Sequence, residues 1–277
     1  MIIREYKKIN DVFVFDDDVC ENHPDYYADG LDGHIKRENE HFWFVVRKEF
    51  LLSRLNKHID KQSRGIDIGA GTGNVTGYLI SNGYENICVG EMHSNGLEYA
   101  RRYGSKELYQ FNILKVTFDD EFDFVCLFDL LEHIEDENMV FQNVHRMLHR
   151  GSGKIIITVP AHQWLWSLYD KVAHHKRRYT KKDLREKLRK NGFEVLEMKY
   201  FFICITPLLF IRGIFKQDKG ENYAGYRAED SVNNRFIDKI FLWLCRIENR
   251  LIDFIPNFFG GSLCVVARVA NNHKSLT

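Results

Sequence analysis

Gly65-Ile66-Asp67-Ile68-Gly69-Ala70-Gly71-Thr72-Gly73-Asn74 decides the fold: an apolar strand passes through three closely spaced glycines into a helix. Glycines at this spacing permit a tight turn and let a ligand approach backbone that side chains would otherwise shield. The helix that follows points its free N–H groups at that ligand. This is the geometry of a nucleotide-binding turn, and the spacing then discriminates among nucleotides. A dinucleotide fingerprint needs G-x-G-x-x-G so that a pyrophosphate can sit on the helix end. Here the pattern is G-x-G-x-G, Asn74 stands at the place of the third glycine, and the Walker lysine is missing. Asp67, two residues before the first glycine of the turn, suits a ligand that carries an ammonium group close by.

Outward from this turn, apolar strand-like runs alternate with helical patterns, the signature of βαβ units and a mainly parallel sheet. Strands are expected at 65–68, 86–90, 108–111, 122–128, 154–159, 193–202 and 262–269, and helices at 74–82, 95–103 and 137–149. A further helix starts on the capping pair Thr180 and Asp183 and stops at Asn191-Gly192. Glu91 closes the second strand about 20 residues beyond the turn, where an acidic side chain accepts hydrogen bonds from the ribose hydroxyls of an adenosine.

On these motifs the chain resembles the class I S-adenosylmethionine-dependent methyltransferases. Their first motif is similar to Asp67-Ile-Gly-Ala-Gly-Thr-Gly73, and their second to Val89-Gly90-Glu91-Met92. Their third is similar to Gln110-Phe111-Asn112-Ile113, and their fourth to the run from Phe122 through Asp129 to Ile134. The resemblance covers roughly residues 64–202 and implies an α/β fold: a Rossmann-like, seven-stranded, mostly parallel sheet with helices on both faces. It also implies the cofactor, S-adenosylmethionine, leaving as S-adenosylhomocysteine. Asp67 and the loop residues Gly69, Ala70, Gly71 and Gly73 would lie near its methionine portion, Glu91 on the ribose, and Met92 and Ile113 against the adenine faces. Phe128, at the end of the fourth strand, joins this set. Asn112 departs from the family, which usually places an aspartate there to accept from the adenine amino group; asparagine can still accept through its amide oxygen. Leu131-Glu132-His133 and the segment 159–170 look like the branch that holds ubiquinone-pathway-type enzymes.

Ligands of open parallel sheets bind beyond the carboxyl ends of the strands. That selects His133, His162, His174 and His175 from the 12 histidines as groups near an acceptor. If the acceptor is a hydroxyl, a base must remove its proton, and histidine is best matched to neutral pH. His133 is the first candidate, with helix-start packing as its alternative; His175 is the second, with orientation of Asp170 as its alternative. Trp164 and Trp166 are candidates to line an apolar acceptor pocket, or are core aromatics. Arg178 and Tyr179 are candidates to bind an anionic group of the acceptor, or pair internally to hold their loop. The chemistry calls for no metal. Oxygen acceptors are favoured, with a glycan, a lipid-linked compound or a quinone-like molecule as substrate classes. A cofactor-binding scaffold without catalysis is the competing reading.

Two regions lie outside the repeating unit: a helical extension over 1–60, with helical periodicity at 41–58, and an insertion over 203–259 ahead of the last strand and tail, 260–277. The core is then 61–202. Within the insertion, 236–252 is amphipathic, and the apolar run 201–211 precedes Arg212 and Lys216. Three roles stay open for it: a lid over the acceptor, a homodimer contact, or docking on a membrane surface. The run 201–211 contains Pro207 and falls well short of the ~20 residues a spanning helix needs. Lys and Arg together count 39, as do Asp and Glu, so there is no net charge to draw the protein to nucleic acid. The six scattered cysteines lack a C-x-x-C pair, and the amino terminus lacks an apolar signal-peptide stretch, which together predict reduced thiols in the cytoplasm.

Overall fold

Val125 and Leu127 point to one side of a strand, Phe124, Cys126 and Phe128 to the other, and all five are buried. A strand covered on both faces reads as an unbroken apolar run, which is why 122–128 announces a central position in a parallel sheet. The computed structural model describes residues 6–15, 22–23, 26–27, 38–116, 118–215 and 235–270. Cys20, the side chain of Arg212, Lys216 and residues 217–234 of the insertion lie outside them.

In chain order the elements are β1 (Lys7–Ile9), β2 (Val12–Val14), β3 (Asn22–His23), β4 (Tyr26–Tyr27), α1 (Phe42–His58), β5 (Gly65–Ile68), α2 (Asn74–Ser81), β6 (Ile87–Glu91), α3 (Ser94–Arg102), β7 (Leu108–Gln110), β8 (Phe124–Phe128), α4 (Glu137–Met147), β9 (Lys154–Pro160), α5 (Leu168–Val172), α6 (Lys181–Lys190), β10 (Phe193–Phe201), α7 (Thr206–Phe215), α8 (Arg235–Leu251) and β11 (Ser262–Val269). Single 3-10 turns stand at Leu131–His133 and Gln163–Leu165.

The main sheet runs β1-β2-β7-β6-β5-β8-β9-β11-β10. Pairing is parallel from β2 through β9, whereas β11 is antiparallel to both β9 and β10. All seven expected strands are present, and the order switches direction at β5, between β6 and β8. The carboxyl ends of β5, β6 and β8 therefore converge on one crevice, where ligands of such sheets sit.

The amino-terminal region adds two strands to the sheet as well as the expected helix. Asn10 and Asp11 both have left-handed backbone (φ 49° and 63°), the conformation of a two-residue hairpin turn, and they join β1 to β2. β2 then pairs with β7, burying Val12 and Val14 against Val89 and Leu97.

Helices α4 and α6 cover one face through Val140, Val144, Leu184 and Leu188. α1, α2 and α8 cover the other through Phe50, Leu55, Leu79 and Cys245. α8 lies along α1: Phe241 meets Phe42 at 5.2 Å between ring centroids, and Asn249 donates to the Val46 carbonyl at 3.3 Å. The insertion and the amino-terminal helix thus form one layer. Among the described residues no helix is long and apolar enough to cross a membrane.

Phe50 is fully buried and stacks on Phe201 at 4.4 Å, tying α1 to β10. Phe50→Ala is expected to lower unfolding free energy by about 3–5 kcal/mol in urea titrations. A loss below about 1 kcal/mol would show that α1 stands outside the cooperative core.

Candidate functional site

Gly73, the N-cap of α2, has φ +75°, and a Cβ there would stand 2.6 Å from the Ala100 side chain, so only glycine fits. Gly69 has φ +69° and is crowded in the same way by Leu130. Asp67, on β5, is 1% exposed; one carboxylate oxygen accepts from the Thr76 hydroxyl at 2.6 Å, and Oδ1 has no hydrogen-bond partner. Burial pushes its carboxyl up to about 7, against the Thr76 hydrogen bond and the Arg47 charge. Glu38 accepts from the Thr72 hydroxyl at 2.6 Å, and Lys48 of α1 donates to Asn74 at 3.3 Å. Chain 34 residues upstream therefore closes over the glycine turn. Neither contact carried a local sequence signal, because Glu38 and Lys48 read as ordinary charges beside a helix start.

Glu91 reaches back from the end of β6 and accepts from the backbone N–H of Gly71 at 2.8 Å, Met92 at 2.8 Å and His93 at 3.1 Å. It clamps the backbone of the turn. Burial raises its pKa, opposed by these same N–H donors. Asn112 accepts from the Leu114 N–H at 2.9 Å through Oδ1, the oxygen expected to meet the adenine amino group, so that oxygen is already engaged. Ile113 is buried, its carbonyl held by Asn143 at 2.6 Å.

Beyond β8, Asp129 has left-handed backbone (φ 55°) and is paired with Arg47 of α1 at 2.6 Å. The Arg47 guanidinium lies over the rings of Trp43 and Phe128, at 5.2 and 5.9 Å. Glu132 is buried, and its Oε2 has no hydrogen-bond partner; burial, then the charge of Asp129, hold its pKa well above the usual carboxylate range. His133 is buried beside it, pushed down to about 3 by burial and by the neighbouring His175, His174 and Lys176. The rings of His133 and His175 are 4.8 Å apart.

His175 Nδ1 is 2.9 Å from Asp170, which has no exposure to solvent. Arg178 forks onto the same carboxylate at 2.7 and 2.9 Å, and Ser167 donates to it through its N–H at 2.8 Å. Burial opposes its ionisation, but the hydrogen bonds from His175 and Arg178 hold Asp170 at about 2. An ionised carboxylate only accepts, so Nδ1 of His175 is the nitrogen that donates to Asp170. Ligand atoms of Glu132, His133 and His175 lie within 4.8 Å of one another, a set that can hold a metal ion as well as move a proton.

Two expected acceptor contacts are spent internally. Arg178 is committed to Asp170 and to the Ala161 carbonyl, at 3.1 Å. Tyr179 is buried in the core and donates to Glu137 at 2.7 Å, so it cannot reach an acceptor. Their side chains satisfy buried carboxylates, which is costly to undo. Trp164 is half exposed, lies over His162 at 5.3 Å, and walls a groove of about 300 Å³ with Thr206, Pro207, Phe210 and Phe259. Trp166 is partly buried and does not line this groove.

Residues 36–198 match a family described as a methyltransferase domain. An uncharacterized protein of Methanocaldococcus jannaschii is 30% identical over 205 residues, which is 73% of this chain and 92% of that protein. The putative methyltransferase in complex with the Trm112 activator from Haloferax volcanii superposes with a TM-score of 0.57 at 17% identity, over 90% of this chain and 96% of that one. Phosphoethanolamine N-methyltransferase 2 of Haemonchus contortus, in complex with S-adenosyl-L-methionine, gives a TM-score of 0.53 at 19% identity, over 79% of this chain and 52% of that one.

Burial favours the protonated form of Asp67, so its contribution to stability is full below the free value of 3.8 and is lost as pH rises through about 7. The ionised form attracts an ammonium group. Calorimetry with S-adenosylhomocysteine is expected to show affinity rising with pH through about 7 and levelling above it. Asp67→Asn should bind more weakly and flatten the profile; a wild-type profile already flat would remove Asp67 from the cofactor site.

Proposed function

Because the chain belongs to the methyltransferase domain family and transfers the methyl group of S-adenosylmethionine, we propose that its acceptor is a small molecule with an apolar portion, methylated on oxygen. The observation that carries this reading is the His175–Asp170–Arg178 array, with the imidazole of His175 beside His133 and Glu132.

The residues around the glycine turn suit the cofactor. Its charge is cationic at sulfur and at the amino group, and the turn is bordered by buried carboxylates, among them Asp67 with an unpartnered oxygen. In this reading Asp67, Gly69, Ala70, Gly71 and Gly73 hold the methionine portion, Glu91 the ribose, and Met92, Asn112, Ile113 and Phe128 the adenine. When bound, the cofactor supplies an electrophilic methyl group on sulfur. The protein has to align the acceptor, exclude water and take one proton.

His175 is the better base of the two. Asp170 fixes its ring and tautomer, as in the histidine–carboxylate pairs of acyl-transfer enzymes. His133, at about 3, is neutral but weakly basic at neutral pH, so it positions the acceptor or the His175 ring. The groove at Trp164 has the size of a small-molecule site and an apolar lining, which favours a quinone-like or lipid-linked acceptor over a bare glycan.

With an acceptor in hand, His175→Ala is expected to lower kcat by about 10²–10⁴ with S-adenosylhomocysteine affinity unchanged. His133→Ala should cost less, and Asp170→Asn should shift the pH profile of kcat. Full turnover in His175→Ala would rule out an acceptor that needs this base. Turnover abolished by a chelator and restored by magnesium or manganese would instead make Glu132, His133 and His175 metal ligands.

A further inference from the structure

α8 presents two different faces. Phe241, Cys245 and Ile252 just beyond its end turn toward α1 and the sheet. Round the helix from them, Ile240, Trp243 and Leu251 recur at helical spacing and are exposed, Trp243 to 63%. Phe236 continues this stripe toward the start of the helix and is exposed as well. Alongside it run Arg235, Lys239, Arg246 and Arg250, all exposed, with Arg246 shared with Glu49 at 3.0 Å.

The two carboxylates of α8 face inward. Asp238 accepts from the Phe42 N–H at 3.1 Å, and Glu248 from the Cys204 N–H at 2.8 Å. Among the described residues the outward face of α8 therefore pairs an apolar stripe with four cations, one of them bridged to Glu49 of α1, and carries no carboxylate of the helix itself. Past the helix, Phe254 and Phe258 are 85% and 81% exposed, and Leu208 to Ile211 of α7 are exposed too.

We propose that this face docks the protein on an anionic lipid surface. An apolar stripe alone would suit a second copy of the chain or another protein equally well. The cationic margin decides: for self-association it would bring like charges together at the rim, whereas on a membrane it meets lipid phosphates while the stripe enters the headgroup boundary. The molecule as a whole is neutral, so attraction to anionic lipid has to come from a local segregation of this kind. Phe259 belongs both to the exposed region after α8 and to the wall of the groove at Trp164, so docking would set the groove near the lipid surface.

The test uses the full chain in co-sedimentation with phosphatidylcholine vesicles and with phosphatidylcholine–phosphatidylglycerol vesicles. Wild type is expected to bind the anionic vesicles, to bind neutral ones at least about tenfold more weakly, and to lose binding as salt is raised. The surface variants Ile240→Asp/Trp243→Asp and Lys239→Glu/Arg250→Glu should each lower binding about tenfold or more while melting like wild type. If either variant unfolds, the single changes Trp243→Ser and Lys239→Gln give the same comparison with smaller effects in the same direction. Wild type that ignores anionic vesicles, or variants that bind as wild type does, overturn the proposal. So does light scattering in which the apolar variant turns a dimer into a monomer without any vesicle binding. The readout involves no methyl transfer, so its failure leaves the acceptor chemistry proposed above standing.

Discussion

Carboxylates held out of water along the carboxyl edge of the sheet set the terms for the rest of the site. Asp67, Glu91, Glu132 and Asp170 are buried there, with Asp129 half-buried among them. Each would be expensive to ionise alone, and each is matched differently. Glu91 is met by backbone N–H groups, Asp170 by Arg178 and His175, and Asp129 by Arg47. Asp67 and Glu132 keep an oxygen without a hydrogen-bond partner, and their pKa values stay high. Carboxyls held toward the protonated form by burial can ionise when a cation binds beside them, which suits a cationic cofactor: the ligand brings the charge that the fold leaves out.

The layer of α1 and α8 is the second determinant. α1 supplies Arg47 to the strand-end carboxylate and Lys48 to the glycine turn, and α8 holds α1 against the sheet through Phe241 and Asn249. The insertion thus reaches the cofactor turn through one intermediate helix. A disturbance of α8 can be felt at Asp129 without any direct contact between them. The cysteines fit this packing: Cys204, just beyond β10, and Cys245, on α8, meet at 3.5 Å between their sulfurs as thiols.

The internal commitment of Arg178 and Tyr179 shows how residues of a chemically expressive loop can serve as scaffold. Arg178 makes His175 rigid by fixing the carboxylate that fixes the imidazole. Tyr179 anchors the same loop through Glu137, which also receives Arg177 and Lys187. Such a loop binds no acceptor through these side chains, but it sets the geometry of the group that can.

The amino-acid sequence by itself determined the strand pattern, the glycine turn, the acidic end of β6 and the cofactor class. These features are local: side-chain periodicity and turn stereochemistry act over a few residues and leave a readable spacing. The hairpin β1–β2 also had its sign in Asn10-Asp11, a weak one beside strands of three residues. Only the tertiary structure decided that Glu38 and Lys48 close the cofactor turn and that Glu91 clamps its backbone. It also decided that Arg47 pairs with Asp129, and that Asp170 holds the His175 ring while burial lowers the pKa of His133. Those outcomes depend on desolvation and on partners far apart in the chain, up to 203 residues for Val46 and Asn249, and no local spacing records what a side chain will be buried against.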